Sequence, residues 1–113
     1  MPASCAVPGI YPPVPIGGAT YVDGGARSIT NADLAVGCGT VLVLAPIERT
    51  VGPMRSSAQQ LGRAPHLVVT PDAVSRAAIG KNVLDVAARP ASARAGYAQA
   101  AQVVNHVRAL WER

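Results

Sequence analysis

One short segment carries residue types arranged for chemistry: Tyr21-Val22-Asp23-Gly24-Gly25. Tyr21 and Val22 favour an extended chain, and an acid follows at the end of that strand, ahead of two glycines. Glycine takes positive φ without strain and lets another stretch of backbone come close. Gly24 and Gly25 are therefore expected to hold the Asp23 carboxylate rigidly at a strand end, where open α/β sheets place their sites. Asp-Gly also makes ordinary hairpin turns, so these five residues alone leave a structural and a chemical reading open.

Nothing else in the chain completes a site by itself. The serines are Ser4, Ser28, Ser56, Ser57, Ser75 and Ser92, and none lies in a strand-to-helix elbow flanked by glycines. The pattern G-x-S-x-G is absent from the sequence. His66 opens an apolar strand and His106 lies on the last helix, so each is expected to be structural or solvated. No H-x-x-x-H pair or carboxylate cluster points to a metal. Gly17-Gly18 lacks the lysine-bearing pattern of a phosphate loop. No cofactor is expected. Cys5 and Cys38 make neither a disulfide framework nor a zinc site, and their small apolar neighbours predict buried free thiols.

The elements that must position Asp23 can be followed along the chain. Ala3 to Val7 has the character of a last helical turn, stopped by Pro8-Gly9. Tyr11 to Pro15 is too rich in proline for a helix or a central strand and is expected as an extended, rigid loop. Gly17-Gly18 makes a turn, and Ala19 to Val22 a short strand. Asn31 is placed to cap a short helix over Ala32 to Val36, with Asp33 in its first turn. Thr40 to Ala45 and His66 to Thr70 have the continuous apolar character of buried strands. Pro46 to Pro53 is expected as a loop. Met54 to Leu61, stopped by Gly62, and Asp72 to Ile79, stopped by Gly80, are expected as short helices. A long helix follows over Pro90 to Trp111. Its apolar face is expected to be Tyr97, Ala100, Ala101, Val104, Val107 and Trp111, with Arg94, Gln99, Gln102, Asn105 and Arg108 facing away. Strands alternating with helices imply α/β architecture, the last two strands parallel. The few short helices leave a three-stranded sheet incompletely covered.

Taken in order, the small-residue turn Ser4 to Gly9, the proline-rich loop Ile10 to Val14, Tyr21-Val22-Asp23-Gly24-Gly25, Asn31, Ala35, Gly37 and the apolar strand Val41 to Leu44 resemble the patatin-like phospholipase family. The resemblance covers about the first 45 residues, and the order of elements counts for more than any one residue. It implies a partial three-layer α/β domain with few, mostly parallel strands, flanking helices and a long C-terminal helix. It also implies a Ser–Asp dyad, in which Asp23 matches the acid and Gly24 and Gly25 its supporting turn. The serine elbow and the glycine-rich oxyanion loop of that family lie on its N-terminal side and are missing from these 113 residues. Acid without nucleophile implies little activity for this chain alone.

Composition bounds the remaining possibilities. At 113 residues the chain fits one unit, spanning residues 1–113, and half of it is hydrophobic. There is no Phe, one Trp and three Tyr, so small aliphatic residues must fill a thin core. The formal net charge is +4. Its arginines are dispersed singly and no aromatics interleave with them, which speaks against a nucleic-acid partner. Val41 to Ala45 is far too short to span a bilayer, so no transmembrane segment is expected, and a cytoplasmic location is the default. Two functional expectations remain. In one, the chain is the acid-bearing part of a lipid acyl hydrolase, acting on a lipid or ester only when the N-terminal half is supplied. In the other, it is a non-catalytic remnant or interaction module that docks through its incomplete sheet, with self-association as one outcome.

Overall fold

The computed structural model describes residues 3–47 and 54–112, so most of the loop expected over Pro46 to Pro53 lies outside the described residues. The chain forms two compact units, one of Met1–Val36 with Glu48–Gly62, the other of Gly37–Ile47 with Arg63–Arg113. The content is mixed α/β. The strands, however, form two two-stranded sheets, one antiparallel and one parallel, in place of the single, mostly parallel sheet expected.

In the first unit the decisive local feature is Gly17-Gly18. Both residues take positive φ, at 56° and 82°. A two-residue hairpin loop of the primed kind needs that backbone at both positions. It folds β1 (Val14–Ile16) back against β2 (Ala19–Tyr21), antiparallel, with Val14 opposite Tyr21. The proline-rich stretch expected as loop therefore ends in a strand. Pro15 is tolerated because each strand of a two-stranded ribbon is an edge and no further neighbour needs its missing N–H. Single turns of 3-10 helix follow at Gly24–Ala26 and Ala32–Ala35, and another precedes the hairpin at Ala3–Cys5. Helix α1 (Ser57–Leu61) starts later than expected because Ser56 caps it. Gln59 N–H donates to Ser56 Oγ (3.3 Å), and Ser56 N–H to Gln59 Oε1 (2.9 Å), a reciprocal capping box. Ala6, Ala32 and Leu61 are buried here together with Ser28 and Ser57.

In the second unit β3 (Val41–Leu44) and β4 (His66–Val69) pair in parallel, Val41 beside His66 and Leu44 beside Val69. Helix α2 (Ala73–Ile79) follows, capped by Asp72, whose carboxylate accepts from Ser75 N–H at 2.7 Å. The 23-residue α3 (Arg89–Trp111) completes the unit. Val41, Ala45, Ser75 and Leu110 are its buried residues. Leu44 remains 68 % exposed, so a strand of fully apolar character is covered unevenly. Among the described residues no helix is long and apolar enough to cross a membrane.

The face that α3 turns inward differs from the one expected. Tyr97 is 85 % exposed, Trp111 59 % and Val104 44 %, while Ser92, Ala95, Gln99, Val103 and Leu110 face the unit together with Val107, which lies inward as expected. The reason is Gln99. Its amide donates to Thr70 O (2.7 Å) just after β4 and accepts from Asp72 N–H (3.2 Å) and Ser75 Oγ (3.0 Å) at the start of α2. One side chain thus satisfies backbone groups that would otherwise be left without partners between strand and helix.

Gln99→Leu keeps the volume and removes all three bonds. It should lower the stability of the folded chain by about 1–3 kcal/mol, read as a shift in the urea midpoint at unchanged slope. A pH effect follows from Asp72, whose carboxyl is held below its ordinary value first by the Ser75 backbone N–H. The unfolded chain then binds the proton more readily, so this contribution is complete above the unfolded value near pH 4 and is lost as pH falls through the folded value. The thermal midpoint should therefore drop on acidification below about pH 4, and less so in Asp72→Asn.

Candidate functional site

The chain enters the Asp23 turn from β2 and is fixed there by its own backbone. Asp23 N–H donates to Ala6 O at 2.9 Å, tying the strand end to the buried Ala6 beside the first 3-10 turn. The Asp23 carboxylate then caps the next turn, Oδ1 accepting from Gly25 N–H at 2.6 Å. Asp23 is half-buried, and among the described residues no other group hydrogen-bonds its carboxylate. One oxygen is held by the backbone, and the other is open to accept a proton or orient a hydroxyl brought to it.

The glycines serve this geometry by proximity rather than by unusual dihedrals. Positive φ occurs at neither Gly24 nor Gly25, which corrects half of the expectation drawn from the motif. A Cβ on Gly25 would lie 2.7 Å from Asp23 Oδ1, inside van der Waals contact. A Cβ on Gly24 would meet only Asn31 Nδ2, at 3.4 Å. The hairpin reading of Asp23-Gly24 is also excluded, since the hairpin turn is Gly17-Gly18 and Asp23 caps a helical turn instead.

A polar cluster supports the turn; the sequence placed Asn31 as a helix cap and Asp33 in the first turn, and left Arg27 and Gln60 without a role. Asn31 sits in the left-handed region at φ 49° and makes no side-chain cap. Its amide instead reaches back to Gly24 O (3.0 Å) and Ser28 O (2.9 Å), and its Oδ1 accepts from Arg27 (2.9 Å). Arg27 also pairs with Asp33 through both guanidinium nitrogens. That hydrogen bond is the main cause holding the Asp33 carboxyl below its usual range. The pair is exposed, so its effect on stability is small and its role is positional. Ser28 is buried, its hydroxyl occupied by Gln60 and by Asn31 N–H (3.0 Å), which removes it as a substitute nucleophile. Asn31 and Asp33, read as cap and first-turn residues, were the sequence signals at this cluster; Gln60 gave none, being one more polar residue on a short helix.

Ala6 also lines a cavity of about 290 Å³ with Cys5, Tyr11, Pro12 and Val14. The same residue thus accepts the Asp23 N–H and bounds a mainly apolar hollow. Cys5 and Cys38 are free but exposed, contrary to the burial expected from their small neighbours. Cys5 follows that neighbourhood only in part, since it lies on the cavity wall. His66 Nδ1 bonds Ala64 O (2.7 Å) within its own strand entry, and His106 is exposed on α3. Among the described residues no group of three or more His, Cys, Asp or Glu is placed to hold a metal.

Gly25→Ala should therefore displace the Asp23 carboxylate and break its bond to residue 25, at a cost of about 1 kcal/mol typical of a lost cap. Gly24→Ala should be tolerated. Crystal structures and urea midpoints of the two variants check this: an unmoved carboxylate in Gly25→Ala would refute it.

No curated protein and no solved structure matches the chain. The patatin-like phospholipase family model matches residues 1–36, the segment that contains the Ala6 anchor, the hairpin, Asp23, its two glycines and Asn31.

Proposed function

We propose that this chain supplies the acid of a Ser–Asp dyad in a lipid acyl hydrolase. The observation that carries the reading is the Asp23 carboxylate, locked through one oxygen to Gly25 N–H and open at the other, within the segment that resembles patatin-like phospholipases. The open oxygen would take the proton of a serine hydroxyl as that oxygen attacks an ester carbonyl. The proton then passes to the departing alcohol, leaving an acyl-enzyme. A water, deprotonated by the same carboxylate, attacks the acyl carbonyl and returns the serine. The apolar hollow beside Ala6 suits the hydrocarbon of the acyl group.

The serine and the oxyanion donors of this scheme are not among the 113 residues, so the chain by itself is expected to be inactive. A second reading, a non-catalytic module that docks through its small parallel sheet, is favoured by the exposure of Leu44 on β3.

The test is to isolate the native product from its own cells with an antibody against α3, weigh it, and assay hydrolysis of a short-chain ester. A mass well above 11.5 kDa, with turnover abolished by Asp23→Ala at unchanged folding, is the expected result. Turnover retained in that variant removes Asp23 from the mechanism. A mass equal to this chain, without turnover, favours the docking module.

A further inference from the structure

The charge of the chain is divided unequally. The unit of Met1–Val36 with Glu48–Gly62 has three basic and three acidic residues; the unit of Gly37–Ile47 with Arg63–Arg113 has seven basic and three acidic. The whole net charge of +4 thus belongs to one unit. Within that unit α3 has no acidic residue.

Two of the chain's four aromatic side chains, all of them exposed, stand on the outer face of α3. Tyr97, Val104 and Trp111 recur at seven-residue steps, so they lie along one line of the helix. Helical spacing sets Arg94 and Arg108 along the flank of that line, and both are exposed. Neither pairs with an acid among the described residues. Tyr and Trp near the ends of an apolar line, beside arginines, are the residue types that settle at the boundary of headgroups and acyl chains.

A second copy of the chain fits this face poorly. Two aromatics and a valine offer on the order of 400 Å², about half of the roughly 800 Å² per partner that a stable interface buries. Two copies would also bring four unpaired arginines together. A bilayer imposes no such requirement of area or shape, and an anionic one complements the charge. We propose that the outer face of α3 is an interfacial binding surface for anionic phospholipid bilayers. The aromatics enter the headgroup layer, and Arg94 and Arg108 contact lipid phosphates. This surface is independent of the Asp23 reading, because it requires no turnover.

Trp111 is the chain's one tryptophan, so its fluorescence reports on this face directly. The full chain is titrated with vesicles of phosphatidylcholine alone and of phosphatidylcholine with roughly a third phosphatidylglycerol. A blue shift with the anionic vesicles only, reversed by about 0.5 M sodium chloride, is the expected result. Arg94→Ala with Arg108→Ala should weaken the vesicle affinity roughly tenfold or more while leaving the circular dichroism unchanged. No shift with anionic vesicles at low salt overturns the proposal. So does a shift without lipid that grows with protein concentration, which would assign the face to a second copy.

Discussion

The fold depends on how little it can bury. Of the buried apolar residues described, only Leu61 and Leu110 are larger than valine, and serines fill three further buried positions. A core of that kind supplies little apolar area, so directed bonds must do the joining. In each unit one glutamine does so. Gln60 Nε2 donates to Ser28 Oγ (2.9 Å) and to Arg55 O (2.8 Å), holding α1 to the segment after Asp23. Gln99 joins the end of β4, the cap of α2 and the middle of α3. Each amide both donates and accepts, which suits a place where strand ends and helix starts meet with opposite needs.

The geometry of Asp23 inherits this character. The turn is fixed by hydrogen bonds from backbone and polar side chains. It is hung between the Ala6 carbonyl on one side and the Asn31 amide on the other, with Gln60 and Ser28 behind. Polar suspension of this sort fixes direction well, because hydrogen bonds weaken steeply with angle. The Ala6 that anchors the turn through its carbonyl also lines the apolar hollow.

Local signals in the sequence were legible wherever a residue had one backbone task. Gly17-Gly18, Gly62 and Gly80 stop or turn the chain where expected, and the two apolar runs pair in parallel. Legibility failed where a residue's task was set by a distant partner. Asn31 has the right chemistry for a helix cap, yet its amide is drawn back to Gly24 and Ser28. On α3 the abundance of alanine flattens the contrast between faces, and counting bulky apolar residues selected Tyr97, Val104 and Trp111. The inward face was decided by Gln99, whose partners lie 24 to 29 residues away. Proline in β1 misled in the same way, because a ban on central strands does not reach a two-stranded ribbon.

The route of the chain between its units has a consequence for how the molecule is made and cut. The backbone passes from one unit to the other between Val36 and Gly37, returns between Ile47 and Glu48, and passes over again between Gly62 and Arg63. No single cleavage separates the two units, since a break at any of the three crossings leaves at least one unit with a segment on each side. During synthesis β3 emerges before α1 has closed the first unit and waits for β4 until that unit is finished. Each unit therefore closes across a stretch of the other's sequence, Gly37–Ile47 in one case and Glu48–Gly62 in the other, at an entropic cost that grows only slowly with the length crossed.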